Sequence, residues 1–385
     1  MKTEILKIED HIKDIEALKK AADCVDSGGL VVFPTETVYG IACKADKKSL
    51  ERLDEVKKRD TEKRYTLHIG DKNKLSDFVP AGTSLTPPAK KLVKIGWPGP
   101  LTIVFEINQK DFAMLVPLET GRHGRPTGVI DDSSLMGLYK DNTIGIRCPE
   151  NDIARQFLNL CKNAIVAPSA NTAGKEPATN AQDAIEQLDG IVDMIIDGGT
   201  CKYKKSSSVV KISSAGWEVL REGVFSKRQI QKMLTVNILF VCTGNTCRSP
   251  MAAGFAKKAL AEKLGCNIDQ LGQMGYKVAS CGISATNGIG ATNYAIKVCD
   301  SRNADISNHK SRNITAEMIK EADYIFTMSE GQKSDIIQLS PDGRQKCMLL
   351  DENKNINDPI GGDFETYKIC GQIIEKAVIK RISEL

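Results

Sequence analysis

Short apolar runs alternate along the chain with stretches whose apolar residues recur at helical spacing. Ile12 to Ser27 reads as an amphipathic helix and leads into the apolar run of GGLVVFPTETVYG. Further strand-like runs follow in LTIVFEI, TIGIRCP, NAIVAPSAN, DMIIDGG, SSVVKIS and WEVLREG. Several of them abut glycine or proline, as strands that end in loops do. The polar helical segment SKRQIQKML then precedes a fresh apolar run, VNILFVC. This restart sets a boundary at Leu234 and gives two domains, 1–234 and 235–385, with no Ser/Gly- or Pro-rich linker between them. Leu118 to Asn142 is polar, glycine-rich and irregular, which predicts a mobile loop.

Alternating strands and helices are the pattern of an α/β chain. The first domain is expected to form an open twisted α/β sheet. In the second, strands are expected at Val236–Val241, Lys277–Cys281, Asp323–Met328 and Cys347–Leu350, with helices between. That order suits a small flavodoxin-like domain built on four parallel strands. The 385 residues suffice for two domains with real cores.

Composition narrows the function classes. The formal charge of +4 is small, so a nucleic-acid contact would need a local basic patch. An aromatic content of 5% argues against a stacking surface for single strands. Twelve cysteines raise the question of disulfides. MKTEILKIEDHIKD, however, lacks the apolar core of a signal peptide, and no run nears the roughly 18 apolar residues of a membrane span. A cytoplasmic chain with no membrane partner and reduced, mostly buried thiols is expected. With four histidines, none beside a cysteine pair, no metal held by the protein's own side chains is expected.

The densest chemistry lies in VCTGNTCRSP, Val241 to Pro250. Cys242 ends an apolar strand, Arg248 follows, and Ser249-Pro250 opens the helical stretch MAAGFAKKALAEKL. A strand, a tight loop and a helix N-terminus form an anion cradle, because N–H groups converge there and the helix dipole adds positive potential. Gly244 and Asn245 tolerate the left-handed conformations such a loop needs. Arg248 can grip two phosphoryl oxygens at once. In that field Cys242 is expected to act as a thiolate nucleophile toward phosphorus, with Ser249 hydrogen-bonded to it. A phosphoryl-cysteine route also needs an acid and then a base, which Asp358 in NDPIGGDFETY can supply.

These two stretches together resemble the low-molecular-weight protein tyrosine phosphatase family, from about Val236 to Leu385; SCGISA, HKSRNIT and ADYIFTMSE match in kind. The resemblance implies Cys242 as nucleophile, Arg248 as phosphate ligand and Asp358 as acid then base, with no cofactor. Thr243, Gly244, Asn245, Thr246, Cys247 and Ser249 would support the phosphate loop. CTGNTCRSP followed by Asp-Pro-x-Gly-Gly looks most like the bacterial protein-arginine phosphatases, in which a threonine matching Thr246 helps select phosphoarginine. Ile360-Gly361-Gly362 stands where other members carry aromatic walls, so a phosphoarginine protein is favoured over phosphotyrosine. Cys247 matches the cysteine that can trap an oxidised nucleophile as a reversible disulfide.

The first domain has its own constellation. FPTETVYG clusters hydroxyls and a carboxylate after a strand, Lys57 to Arg64 places cations before another, and Ser169-Ala170-Asn171 and Ser206-Ser207-Ser208 flank two more. Small polar groups and cations at strand ends suit a nucleotide phosphate and a small polar ligand. In their joint order, PTETVYG, K-x-R, LHI, WPGPLT, GIRCP, APSAN, DGG, SSVV and LREG resemble the threonylcarbamoyl-AMP synthase (Sua5/YciO/YrdC) family over about residues 5 to 225. The resemblance implies a reaction of L-threonine, bicarbonate and ATP, with Mg²⁺ accompanying ATP. It gives threonylcarbamoyl-AMP for modification of adenosine 37 in tRNA by a downstream threonylcarbamoyl transferase machinery. A weak tRNA contact would accompany that role. By the same resemblance Lys57, Arg59, Lys63, Thr143, Ser169, Asn171 and Arg221 would bind ATP. Thr35, His68, Arg147, Ala167 and Ser207 would bind threonine, Arg147 clamping its carboxylate.

The chain departs from that family in two loops. KGRP and a second proline become Lys57-Lys58-Arg59-Asp60 and Arg64, and GVESTVVD becomes KKSSSVVK. Losing two prolines is expected to loosen the first loop. The expected whole is a bifunctional enzyme. Two rivals stay open: a first domain that is a non-catalytic RNA-binding or regulatory module, and a phosphatase directed at phosphotyrosine.

Overall fold

The computed structural model describes residues 2–58, 64–79, 85–107 and 138–385. Arg59 and Lys63 lie outside the described residues, as does most of the stretch expected to be mobile. Its last part, from Leu138 on, is packed: Leu138 and Tyr139 are buried, and the Tyr139 hydroxyl donates to the Phe78 carbonyl at 2.7 Å. Apolar Leu138 and Tyr139 hold this last part against the core.

The chain separates into two compact units, Met1–Leu234 and Thr235–Leu385. The strands of the first unit are β1 (Glu4–Lys7), β2 (Val31–Phe33), β3 (Gly40–Lys44), β4 (Thr66–His68), β5 (Leu101–Glu106), β6 (Thr143–Arg147), β7 (Ile165–Val166), β8 (Met194–Asp197), β9 (Ser208–Ser213) and β10 (Gly216–Arg221). They form one open sheet in the order β1-β8-β2-β3-β7-β4-β6-β5-β9-β10. Pairing is mixed: β4 runs parallel to β6, while β7 runs antiparallel to β4 and β5 antiparallel to β6. Helices α1 (Ile15–Asp26), α2 (Lys47–Lys57), α3 (Pro87–Gly96), α4 (Asp152–Leu160), α5 (Ala181–Leu188) and α6 (Lys227–Leu234) complete it.

Helix α1 starts later than its apolar spacing suggests. The Asp10 carboxylate accepts from the N–H of Ile12 and Lys13, and Asp14 from Glu9 and Asp10, so a side-chain-bonded turn precedes the helix. Strand β1 escapes the apolar pattern because it is a short edge strand with mostly exposed side chains. Two apolar cores result. One contains Trp97 and Phe105; the other, beneath α1 and α4, holds Leu18, Phe33 and Phe157.

The second unit has four parallel strands, β11 (Val236–Cys242), β12 (Tyr276–Gly282), β13 (Tyr324–Thr327) and β14 (Cys347–Leu349), in the order β12-β11-β13-β14. Helices α7 (Arg248–Leu264), α8 (Asn293–Asp300) and α11 (Phe364–Ser383) share one core with Ile238, Phe240 and Cys242 of β11. The alternate residues Leu239 and Val241 face the other core, with Ile319 of α9 (Ala316–Glu321) and Ile336 of α10 (Glu330–Leu339). A strand buried on both faces reads as the continuous apolar run VNILFVC. Among the described residues no helix is long and apolar enough to cross a membrane.

Candidate active sites

Strand ends of the first unit open into a cavity of about 450 Å³. Thr35 follows β2, Lys57 ends α2, and His68 and Arg147 end β4 and β6. Ala167, Ser169 and Asn171 follow β7, Ser207 precedes β9, and Arg221 ends β10. All of these line the cavity. Thr143 does not; its hydroxyl accepts from Arg64 Nη1 at 2.5 Å, and Arg64 is the lining residue. Lys57, Lys58, Arg64, Arg147 and Arg221 line the cavity, and no carboxylate does among the described residues. Such a lining favours an anionic ligand.

Arg147 is the most constrained of these cations. It is 5% exposed and ion-paired to buried Glu36 at 2.8 Å. Nη2 makes that contact and also donates to the Thr37 hydroxyl at 2.7 Å, while the other Glu36 oxygen accepts from the Glu150 N–H at 3.1 Å. Nε is buried without a partner among the described residues. The residue as a whole lines the cavity and brings its charge to the wall. Glu36 therefore belongs to the site as the group that aims the guanidinium. It sits in the conspicuous FPTETVYG stretch, but its partner is 111 residues away in sequence.

His68 is buried, and its Nδ1–H donates to the Thr66 carbonyl at 3.1 Å. Burial first, then the nearby Arg147 charge, pushes its pKa down to about 3, so the ring is neutral and Nε2 is an acceptor. Ser207 is held on three sides. Its hydroxyl meets Thr102 Oγ1 at 3.1 Å and Arg221 Nη2 at 3.2 Å, and its carbonyl accepts from Arg221 Nη2 at 2.9 Å. Lys57 departs from the expected role of an open phosphate ligand. Its Nζ donates to the Ser169 carbonyl at 2.6 Å, the Asn171 carbonyl at 2.7 Å and Asn171 Oδ1 at 2.8 Å. It clasps the Ser-Ala-Asn loop, placing its charge at the base of the cavity.

The two divergent loops keep a distinctive backbone. Lys58 and Lys204 stand at the glycines of KGRP and GVESTVVD, and both adopt left-handed φ, 44° and 49°. A lysine there is strained by about 1 kcal/mol relative to glycine. Lys58→Gly and Lys204→Gly are each expected to raise the unfolding temperature of the first unit by about 2–4 °C, as thermal denaturation would measure.

In the second unit the loop from Cys242 to Arg248 joins β11 to α7. The Cys242 sulfur accepts from the Asn245 N–H at 3.2 Å and lies 3.0 Å from the Ser249 hydroxyl. Asn245 is fully buried at φ 54°. Its amide nitrogen donates to Ser249 and Ser280 at 2.9 and 3.0 Å, its side-chain oxygen accepts from the Arg312 N–H at 2.9 Å, and His309 Nε2 donates to its carbonyl at 2.7 Å. Gln332 donates to the Thr243 hydroxyl at 3.1 Å. Gly282, register partner of Cys242, is needed for close approach: a Cβ there would lie 2.4 Å from the Thr243 carbonyl oxygen. Gly244 carries no side chain against the cradle.

Arg248 is 5% exposed; Nη1 donates to the Ile356 carbonyl at 3.0 Å, and Nη2 pairs with the Asp358 carboxylate. Its Nε is buried without a partner among the described residues. The Asp-Pro loop thus brings Asp358 to the arginine across 110 residues of sequence. Thr246 sits at the loop's side, its carbonyl accepting from the Thr292 N–H at 2.9 Å. Cys247 is a free buried thiol, 3.2 Å from the Tyr367 hydroxyl. Tyr367 packs edge-on against Tyr294, which also contacts Phe364. Aromatic groups therefore stand beside the loop although Ile360 and glycines follow the Asp-Pro. They come from α8 and α11, and the local sequence gives no sign of their convergence.

The family model for Sua5/YciO/YrdC proteins, described as "Telomere recombination", matches residues 23–223. The model for low molecular weight phosphotyrosine protein phosphatases matches residues 237–385. A threonylcarbamoyl-AMP synthase of Pyrococcus abyssi is 30% identical over 233 residues, 60% of this chain and 61% of that one. The chain thus spans about three-fifths of that relative's length. A protein-arginine-phosphatase of Geobacillus stearothermophilus is 35% identical over 152 residues, 38% of this chain and 93% of the relative. A solved arginine phosphatase from the same organism is 30% identical and has a TM-score of 0.34, covering 39% of this chain and 92% of that one. The chain belongs to the Sua5/YciO/YrdC family in its first unit and to the low-molecular-weight phosphatase family in its second.

Proposed function

We propose that the chain is a bifunctional enzyme, a threonylcarbamoyl-AMP synthase joined to a cysteine-dependent protein-arginine phosphatase. For the first activity the supporting observation is the cation-lined cavity with Arg147 in its wall. The threonine carboxylate pairs with the Arg147 guanidinium, with the neutral His68 and Ser207 beside it. Its amine adds to the carbon of bicarbonate with loss of water, and a carbamate oxygen then attacks the α-phosphorus of ATP and expels pyrophosphate. Arg64 and Arg221 offset the crowded negative charge. Mg²⁺ accompanying ATP would be held by the nucleotide phosphates and would neutralise part of their charge. The product serves tRNA modification by other proteins.

For the second activity the carrying observation is the convergence of the Cys242 thiol, the Arg248 guanidinium and the Asp358 carboxyl. An incoming phosphoryl group takes the guanidinium from Asp358, whose carboxylate, freed from the ion pair, picks up a proton from solvent and passes it to the leaving nitrogen as sulfur attacks phosphorus and the N–P bond breaks. Asp358 next takes a proton from water, which attacks the phosphocysteine and releases phosphate. The kind of relative and the threonine at 246 support phosphoarginine. The Tyr294–Tyr367–Phe364 cluster is the observation that keeps phosphotyrosine as the second reading. Turnover of phosphoarginine and phosphotyrosine peptides decides between them. Phosphoarginine is expected to be preferred, and Thr246→Ile to shift the ratio toward phosphotyrosine about tenfold, the effect of a methyl-scale change in a pocket wall. A wild-type chain that favours phosphotyrosine would refute the assignment.

A further inference from the structure

Behind the Cys242 loop, β12, α7 and residues 305–312 enclose a cavity of about 470 Å³ that the proposed reactions do not use. Lys257, Lys277, Lys310, Arg312 and His309 line it against a single carboxylate, Asp305. Among the described residues none of the three lysines makes an ion pair. Asp305 is already engaged by the Ser307 N–H at 2.7 Å. Arg312 is fixed by its Nε on the Ser280 carbonyl at 2.9 Å, and His309 by its bond to the Asn245 carbonyl. The inner wall is therefore the outer face of the network that holds the phosphate loop. Burial, and to a lesser degree the charges of Arg312 and Lys257, hold His309 below its ordinary pKa.

We propose that this cavity is a second anion site of the chain, separate from the thiol loop, and that it takes a small phosphate-bearing molecule. The volume falls in the range of small-molecule pockets, about 300–1,000 Å³. Apolar Val278 and Ile306 on its walls leave room for the organic part of such a ligand. Four basic side chains gathered against one carboxylate repel one another, and a phosphate group relieves that repulsion while accepting several N–H bonds.

Acylation of lysines in the full-length chain, read peptide by peptide by mass spectrometry, tests the site directly. Pyrophosphate and AMP serve as probes, with the Arg248→Ala chain run in parallel to remove anion binding at the thiol loop. Labelling of Lys257, Lys277 and Lys310 is expected to fall severalfold and saturably with one or both probes, while exposed Lys354 and Lys376 are unaffected. Protection by AMP alone marks a ligand with an organic part, and protection by both marks phosphate recognition itself. The Lys257→Ala/Lys310→Ala chain is expected to lose protection at Lys277 yet keep wild-type turnover of p-nitrophenyl phosphate. No protection by either probe, or an equal decline at all five lysines as ionic screening would give, overturns the proposal.

Discussion

Exchanging Cys242 for serine is expected to abolish phosphatase turnover, by a factor on the order of 10⁴ to 10⁶ in kcat, and to leave threonine-dependent pyrophosphate release unchanged. The change is one atom. The Asn245 N–H and the Ser249 hydroxyl both address the sulfur position. A serine oxygen in the same place keeps its proton, attacks phosphorus far more slowly and is a poor leaving group from a phosphoseryl intermediate, so turnover stalls. Because the exchange is nearly isosteric, the unfolding temperature should hold, so a lost activity is a lost nucleophile. Steady-state assays of both reactions on one preparation check this. Residual turnover within tenfold of wild type would remove Cys242 from the mechanism.

Arg147→Ala carries the second large effect, and it is two effects at once. Threonine loses its carboxylate clamp, which should lower kcat/KM for threonine by on the order of 100-fold or more. Glu36, 3% exposed, is left as an unpaired buried charge, which destabilises the unit by about 3–5 kcal/mol. Arg147→Met combined with Glu36→Gln separates the two. It removes both charges together and is expected to recover most of the unfolding temperature while pyrophosphate release stays low. Recovery of activity in that double variant would show that Arg147 only braces the fold.

Much of this was legible because the sequence writes it locally. VNILFVC is a strand buried on both faces, and the loop after it must turn within a few residues into a helix, so thiol, glycine, asparagine and arginine could be read as one cradle. The strands of the first unit were legible where apolar runs stop at Gly or Pro, and α1 where its apolar spacing is regular. Contacts made across the chain were not legible. Glu36 was visible as a carboxylate among hydroxyls, but its pairing with Arg147 depends on the end of β6 meeting the loop after β2. Lys57 read as a phosphate ligand, whereas the fold places three oxygens of the Ser169–Asn171 loop around it. The replaced glycines at Lys58 and Lys204 read only as departures from the family pattern; in the fold they are a backbone question, since each lysine keeps a left-handed conformation. The aromatic cluster of Tyr294, Phe364 and Tyr367 was hidden because it is assembled from two helices distant in sequence.

The most direct test of the account is pyrophosphate release by the full chain from ATP, L-threonine, bicarbonate and Mg²⁺. The account predicts release that requires both threonine and bicarbonate and that falls away in Arg147→Met/Glu36→Gln. Saturable ATP binding without threonine-dependent release would contradict it, leaving the first unit as a nucleotide-binding module beside the phosphatase.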